Sequence, residues 1–160
     1  MDLSIKEVLP SQLSDCAEVI RESFAPVAKR FYLTELNCPT HTSFITTQRL
    51  IFESQNGVLM YALYADDKLS GFVGLDKREG YAVVEHLCVL PMLQRQGLGT
   101  RLLDFVTIKA GEMGYKKLSA GIIDADSELK CFYKKAGYCE TEKKEFSHLP
   151  FTVCYLEKDI

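Results

Sequence analysis

The sequence lacks a basic surplus. Nineteen lysine and arginine residues stand against 22 aspartate and glutamate, a formal net charge of −3 over 160 residues. No basic run breaks that balance, so no nucleic-acid partner is expected. No apolar run approaches the ~20 residues that a membrane-spanning helix needs, so no membrane partner is expected either. The six cysteines, Cys16, Cys38, Cys88, Cys131, Cys139 and Cys154, are scattered and form no Cys-x-x-Cys pair. That spacing speaks against a zinc site or a disulfide framework, and no metal is expected. Buried free thiols in a reducing compartment are the expected state. The start, Met-Asp-Leu-Ser-Ile-Lys, carries no signal-peptide pattern, which makes the expected location cytoplasmic. Repeats, linkers and low-complexity stretches are also missing. What remains is an ordinary globular composition, 47% hydrophobic and 26% charged, of a size for one domain over residues 1–160.

One stretch organises the chain. Residues Tyr81 to Leu90 are apolar and β-branched, as a central strand is. Pro91 ends that strand, because it offers no N–H to a ladder. Gln94 to Gly99 is a polar turn with two glycines. Beyond it Leu98, Leu102, Leu103, Val106 and Ala110 recur on one helical face, until Gly111 or Gly114 ends the pattern. Strand, glycine turn and helix in that order leave the first helical N–H groups unpaired, with the positive end of the helix dipole behind them. Such a turn is an anion site, and phosphate is its usual guest. It is not a Walker loop, because no Gly-Lys-Ser/Thr follows. It is a poor dinucleotide fingerprint, because Leu102 holds the place of the third glycine.

Around this stretch the pattern predicts a strand over 3–9 and then a helix with Ser11 as N-cap and Leu13, Ala17, Ile20 and Phe24 inward. Pro26 is expected to break that helix. A second helix is expected from about Ser43 to Gln55, with Phe44, Leu50 and Ile51 inward. Strands at 58–65, 69–75 and 81–90 form an antiparallel meander. A strand over 117–123 follows the long helix and should lie parallel to its predecessor by a right-handed crossover. A short helix over 126–136, capped by Asp126 and stopped by Gly137, precedes final strands at 138–144 and 150–158. The order βααβββαβαββ is α+β with one crossover.

The hexapeptide Gln94-Arg95-Gln96-Gly97-Leu98-Gly99 resembles the pyrophosphate loop of the GNAT superfamily of acyl-CoA-dependent N-acyltransferases, which reads Gln/Arg-x-x-Gly-x-Gly/Ala. The strand ending Val89-Leu90-Pro91 before it and the amphipathic helix after it fit the same family. The segment Asp126 to Tyr138 resembles the family's Asn-x-x-Ala-x-x-Phe-Tyr-x-x-x-Gly-Phe, and Phe146 to Val153 resembles the closing segment of a bacterial subgroup. The resemblance covers nearly the whole chain. It implies a mixed, mostly antiparallel central sheet flanked by helices on both faces. It implies acetyl-CoA as co-substrate and transfer of the acetyl group to a primary amine of a small molecule or peptide. A catalytically idle acyl-CoA sensor on the same fold, and a different acyl donor, are the alternatives.

The resemblance also assigns roles. The backbone N–H groups of Gln96, Gly97, Leu98, Gly99 and Thr100 would hold the pyrophosphate, with Gln94 and Arg95 completing the loop. The pantetheine arm would pair along Leu87, Cys88 and Val89, where a backbone N–H would face the thioester carbonyl. Tyr133 would stand near the coenzyme sulfur as general acid, with core packing as its alternative. Asp126 replaces an asparagine and, ionised, cannot donate to the coenzyme. Glu85 is the expected base, acting through water; binding a cationic substrate or pairing with a lysine is the rival reading. Strict period-two geometry groups Glu85 with Val83, Leu87 and Val89, and His86 with Val84 and Cys88 on the other face. His86 is expected as a satisfied core histidine. Cys88 as a covalent nucleophile is a rival without an obvious base. The acceptor side is expected from the first two helices and their loop, with Glu35, Asn37, His41 and Phe44, and from His148 in the last hairpin; an equal alternative is that these residues stabilise the loops. The exposed final strands suggest a homodimer.

Overall fold

The computed structural model describes residues Met1–Ile160. A seven-stranded sheet runs in the order β1-β2-β3-β4-β5-β7-β6. Its strands are β1 (Leu3–Glu7), β2 (Leu59–Ala65), β3 (Lys68–Lys77), β4 (Ala82–Val89), β5 (Lys117–Ile123), β6 (Cys139–Glu145) and β7 (Thr152–Asp159). Every neighbouring pair is antiparallel except β4 and β5, which are parallel and joined through a helix as the crossover rule requires.

The helices are α1 (Leu13–Arg30), α2 (Thr47–Gln55), α3 (Leu98–Glu112) and α4 (Ser127–Lys135). They cover both faces, because β3 is apolar on both sides. Val73 and Leu75 pack with Leu98, Leu102 and Val106 of α3. Phe72, just before Val73 and on the opposite face, packs with Leu13, Ala17 and Ile20 of α1 and Leu50 of α2. A third cluster joins Ala28, Leu33, Cys38 and Ile123, with Phe44, Leu149 and Phe151 against it.

Four local expectations are corrected. A 3₁₀ turn over Pro10–Gln12 precedes α1, and Ser11 caps nothing; the Gln12 side chain accepts from the Leu9 N–H at 2.8 Å. Pro26 lies inside α1 without ending it. Its missing hydrogen bond is offset by burial of Val27 and Ala28 in the third cluster, and Lys29 and Arg30 suit the helix C-terminus. The segment from Ser43 is a 3₁₀ turn over Thr42–Phe44, and α2 starts only at Thr47, where the Thr46 hydroxyl accepts from the Arg49 N–H. That start turns Ile51 outward, to 40% exposure, while Leu50 is fully buried. The thiols divide: Cys131 and Cys139 are exposed, and the other four are buried, all six free.

Candidate active site

The sheet opens where β4 and β5 part. They pair only at Ala82–Leu118 and Val83–Ser119; beyond that the two strands no longer pair with each other. The free edge of β4 therefore presents backbone groups to a gap, and the turn after β4 stands at its mouth. Gln94 fastens that turn by donating from Nε2 to the Val89 carbonyl at 2.9 Å. Arg95 and Gly97 both take positive φ, 63° and 81°. Gly97 caps α3 in that left-handed conformation with no side chain over the helix start, and a Cβ there would meet nothing within 4 Å. The first turn of α3 holds no acidic residue. These are the conditions for a backbone anion site. Leu98 buries its side chain in the core beneath this turn. The Arg95 guanidinium lies 3.0 Å from Glu128 of α4, both ends exposed. Such an exposed pair is weak.

The strand β4 does not keep period two. Phe72 faces Cys88 and Gly74 faces Glu85, so two residues of β4, His86 and Leu87, oppose the single Val73 of β3. This is a β-bulge, and His86 takes φ 53° to make it. The bulge corrects the expected grouping. Val84 and Val89 now share the α3 face, where Leu87 also packs, while Cys88 packs on the α1 face. Glu85 stays on the α1–α2 side, where a Cβ on Gly74 would lie 3.3 Å from its own Cβ. Its carboxylate has no hydrogen-bond or ion-pair partner from the protein. Burial raises its pKa, with Glu53 and Asp76 adding to the rise and His86 and Arg78 opposing it. Beside it, His86 gives Nε2–H to Glu53 at 2.8 Å and is satisfied as expected. Burial pushes the Glu53 carboxyl up, but His86 and Arg49 together hold it below its ordinary range. The Cys88 thiol is pushed up to about 12 by burial, which leaves no thiolate to act as nucleophile.

Tyr133 of α4 is 4% exposed. Its ring packs edge-on against Phe132 and Tyr138, at 5.3 and 5.1 Å between centroids. Burial above all, then Tyr138 and Glu85, raises its pKa, so the phenol keeps its proton at neutral pH. Glu85 is thus close enough for its charge to act on Tyr133. The Tyr138 hydroxyl is buried without a partner. Asp126, 4% exposed, caps α4 through the Leu129 N–H and pairs with Arg30 at 2.9 Å. Its charge is compensated by α1, and it remains an acceptor only.

The remaining candidates lie where the α1–α2 and β6–β7 loops meet. Phe44 is half-buried there against the third cluster, beside Leu149 and Phe151. Asn37 is a loop fastener: its side chain accepts from the Thr34 N–H and donates to the Tyr32 carbonyl. His41 accepts at Nδ1 from the Ser43 N–H and pairs with the Ser43 hydroxyl. Its pKa is lowered to about 4 by burial and then by Arg49. Glu35 and His148 are exposed. Asp124, Glu140 and Cys154 also approach one another, but Lys130, Lys134 and Lys143 neutralise the two carboxylates, so the cluster reads as an ion-pair knot. No helix is long and apolar enough to cross a membrane.

A family profile for the acetyltransferase (GNAT) domain matches residues 29–153. The chain belongs to the GNAT family. It is 26% identical over 129 residues to the uncharacterized N-acetyltransferase YjcF of Bacillus subtilis, covering 81% of this chain and 84% of that one. Its fold superposes on the ribosomal-protein-S18-alanine N-acetyltransferase of Escherichia coli with TM-score 0.80 at 15% identity, covering 99% and 94% of the two chains. The PaiA N-acetyltransferase of Thermoplasma acidophilum, solved with coenzyme A, gives 0.79 at 22% identity over the whole of both chains. Acetyl-CoA is the co-substrate of GNAT acetyltransferases, and the mostly antiparallel open sheet flanked by helices is the GNAT fold expected from the motifs.

Three features of this GNAT chain lay outside the sequence reading. They are the bulge at His86, the Arg49–Glu53–His86 chain from α2, and the Arg30–Asp126 pair. Only Arg49 and Glu53, four residues apart on a helix, left a local signal.

Proposed function

We propose that this protein is a cytoplasmic, single-domain enzyme that moves the acetyl group of acetyl-CoA to a primary amine of a small molecule or peptide. The observation that carries this reading is the meeting of three things at the parting of β4 and β5. A free strand edge leads to an anion-binding helix start, Glu85 stands there without a partner, and Tyr133 lies within range of its charge.

In this reading the pyrophosphate rests on the N–H groups of Gln96 to Thr100, and Arg95 leaves Glu128 to help it. Pantetheine lies along β4 at Leu87, Cys88 and Val89, whose side chains face the two cores and leave only backbone to the gap. Glu85 accepts the amine's proton through water, which its raised pKa favours. The amine nitrogen attacks the thioester carbon, a β4 N–H holds the oxyanion, and the C–S bond breaks. Tyr133 faces the departing thiolate as a hydrogen-bond donor. A phenol with a raised pKa gives its whole proton uphill to a thiolate near ~8.5, so its help is modest. The acceptor enters between the two loops, past Phe44, Glu35 and His148; Asn37 and His41 shape that entrance. A homodimer gains nothing from β6, whose exposed Glu140, Glu142, Lys143 and Lys144 discourage edge pairing.

The test follows thiol release from acetyl-CoA with a panel of amines, as the pH is varied. Amine-dependent release is expected, and Glu85→Gln should lower it by about 10²-fold or more at neutral pH. The deficit should shrink at high pH, where free amine accumulates. Coenzyme binding with no release to any amine would leave a sensor instead. An unchanged acidic limb in Glu85→Gln would assign the base role elsewhere.

A further inference from the structure

Two carboxylates, Glu53 and Glu85, stand near one imidazole beside the gap, and only Glu53 bonds it. Glu85 immediately precedes the bulge residue His86, and both lie on the α1–α2 side. His86 is 5% exposed at its side chain and has φ 53°, a conformation that a histidine adopts only under constraint. The constraint visible is Glu53, whose Oε1 takes the His86 Nε2–H at 2.8 Å. Glu53 is itself held: its Oε2 lies 3.0 Å from Arg49 Nε, and Arg49 is anchored to the Thr40 carbonyl at 2.8 Å. So α2 and the loop before it reach across to the bulge and occupy the one ring nitrogen turned toward them. Glu85 is left with no partner.

We propose that Glu53 is a positioning residue for acetyl transfer: by holding His86 it keeps that imidazole off Glu85 and leaves the Glu85 carboxylate free to take the amine's proton. This rests on Glu85 being the base. The charged groups that act on Glu85 are His86 on its own strand, Asp76 and the Arg78 paired with it at 2.8 Å, and Glu53 with Arg49 behind it; the charge of Glu85 in turn acts on Tyr133 of α4. Of the cations, Arg78 and Arg49 are each engaged by another carboxylate. His86 is the one whose release would change what Glu85 touches. A released imidazole would hydrogen-bond Glu85, stabilise its ionised form and make it a poorer proton acceptor.

The experiment compares Glu53→Ala and the bulk-keeping Glu53→Leu with Glu53→Gln, whose amide oxygen still accepts from His86. Turnover against pH and acetyl-CoA affinity by calorimetry are read for each. The first two should lose about tenfold in turnover with affinity unchanged, a displacement effect without a binding effect. Their acidic limb should move to lower pH. Glu53→Gln should keep most of the turnover, with only the smaller shift owed to its lost charge. Adding His86→Asn, which tolerates positive φ, should return the limb of Glu53→Ala toward that of the native protein. In a Glu85→Gln background, Glu53→Ala should cost nothing further. Native turnover and limb in Glu53→Ala and Glu53→Leu would overturn the proposal, as would equal losses in Ala, Leu and Gln or an undiminished loss in the Glu85→Gln background. If Glu85→Gln alone has native rates, the base assignment fails first, and that result is distinct from the others.

Discussion

The two halves of the site are built differently. The coenzyme half is nearly continuous in the chain: β4, the Gln94–Gly97 turn and the start of α3 follow one another. In the proposed reading its ligand contacts come from backbone, so its requirements are local: a proline to stop the strand, a residue free to take φ 81° and a bare helix start. The proposed acceptor half joins the loop after α1 to the loop before β7, through Phe44, Leu149 and Phe151. Its hydrogen bonds run inward: Asn37 to Thr34 and Tyr32, His41 to Ser43. A backbone site is written in short range, whereas a side-chain site held by packing leaves no local pattern. The proposed chemistry sits between the two halves, at Glu85 and Tyr133.

Tyr133 offers the sharpest way to separate chemistry from coenzyme binding. Phenylalanine keeps the edge-on packing with Phe132 and Tyr138 and removes only the hydroxyl. Turnover of Tyr133→Phe should fall by about 10²-fold, the lower end for acid assistance, with acetyl-CoA affinity nearly unchanged. Because the lost interaction belongs to the transition state, kcat and kcat/KM should fall together. Steady-state rates measured where chemistry limits turnover, beside calorimetry, decide it. Loss of affinity would merge the two roles, and unchanged turnover would leave Tyr133 as packing.

Gly97 probes the coenzyme half alone. At φ 81° a β-branched residue is strained, although nothing lies within 4 Å of its Cβ. Relief of that strain would swing the helix start away from the phosphate position. A strain of ~1–3 kcal/mol corresponds to roughly fivefold to a hundredfold in affinity. Gly97→Val should therefore bind acetyl-CoA about tenfold more weakly while its thermal midpoint moves little. Gly99 is the control. Its φ is ordinary, and a Cβ there would touch the Phe132 ring at 3.5 Å, a normal contact. Gly99→Ala should bind nearly as the native protein does. Equal losses at both positions would mean that the space beside Phe132, rather than the backbone conformation, matters.

The motif stretch, the long helix and the parallel crossover were readable because each rests on periodicity or on proline and glycine chemistry. Pro26 misled because local rules do not register that Val27 and Ala28 are buried by Leu33 and Ile123. Ile51 misled because α2 begins later than its apolar run suggests. The face assignment of Leu87 and Val89 failed at one residue, since nothing in the letters Glu-His-Leu announces a histidine at positive φ. That conformation is held by Glu53 from another element, and such support is invisible until the fold brings it near.

His41 gives the smallest expected effect and bears on the acceptor half alone. Its Nδ1 accepts from the Ser43 N–H at 3.2 Å, with the Ser43 hydroxyl at 2.7 Å. A protonated ring has no lone pair there, so the cap requires the neutral form. Its folded pKa is lowered to about 4, while the unfolded chain titrates near ~6.5. Between those values the unfolded chain binds a proton that the folded chain refuses. The neutral ring's contribution is thus complete above ~6.5 and is lost progressively as the pH falls toward about 4. His41→Asn keeps a side-chain oxygen for the Ser43 N–H and removes the titration. Urea unfolding at about pH 7 and about pH 5 should show a smaller loss in the variant than in the native protein. Acetyl-CoA affinity should be the same in both, because the cap lies in the other half of the site. Identical pH losses would put the proton uptake at another group. A drop in coenzyme affinity would show the two halves to be coupled through α2, whose Arg49 faces His41 on one side and holds Glu53 on the other.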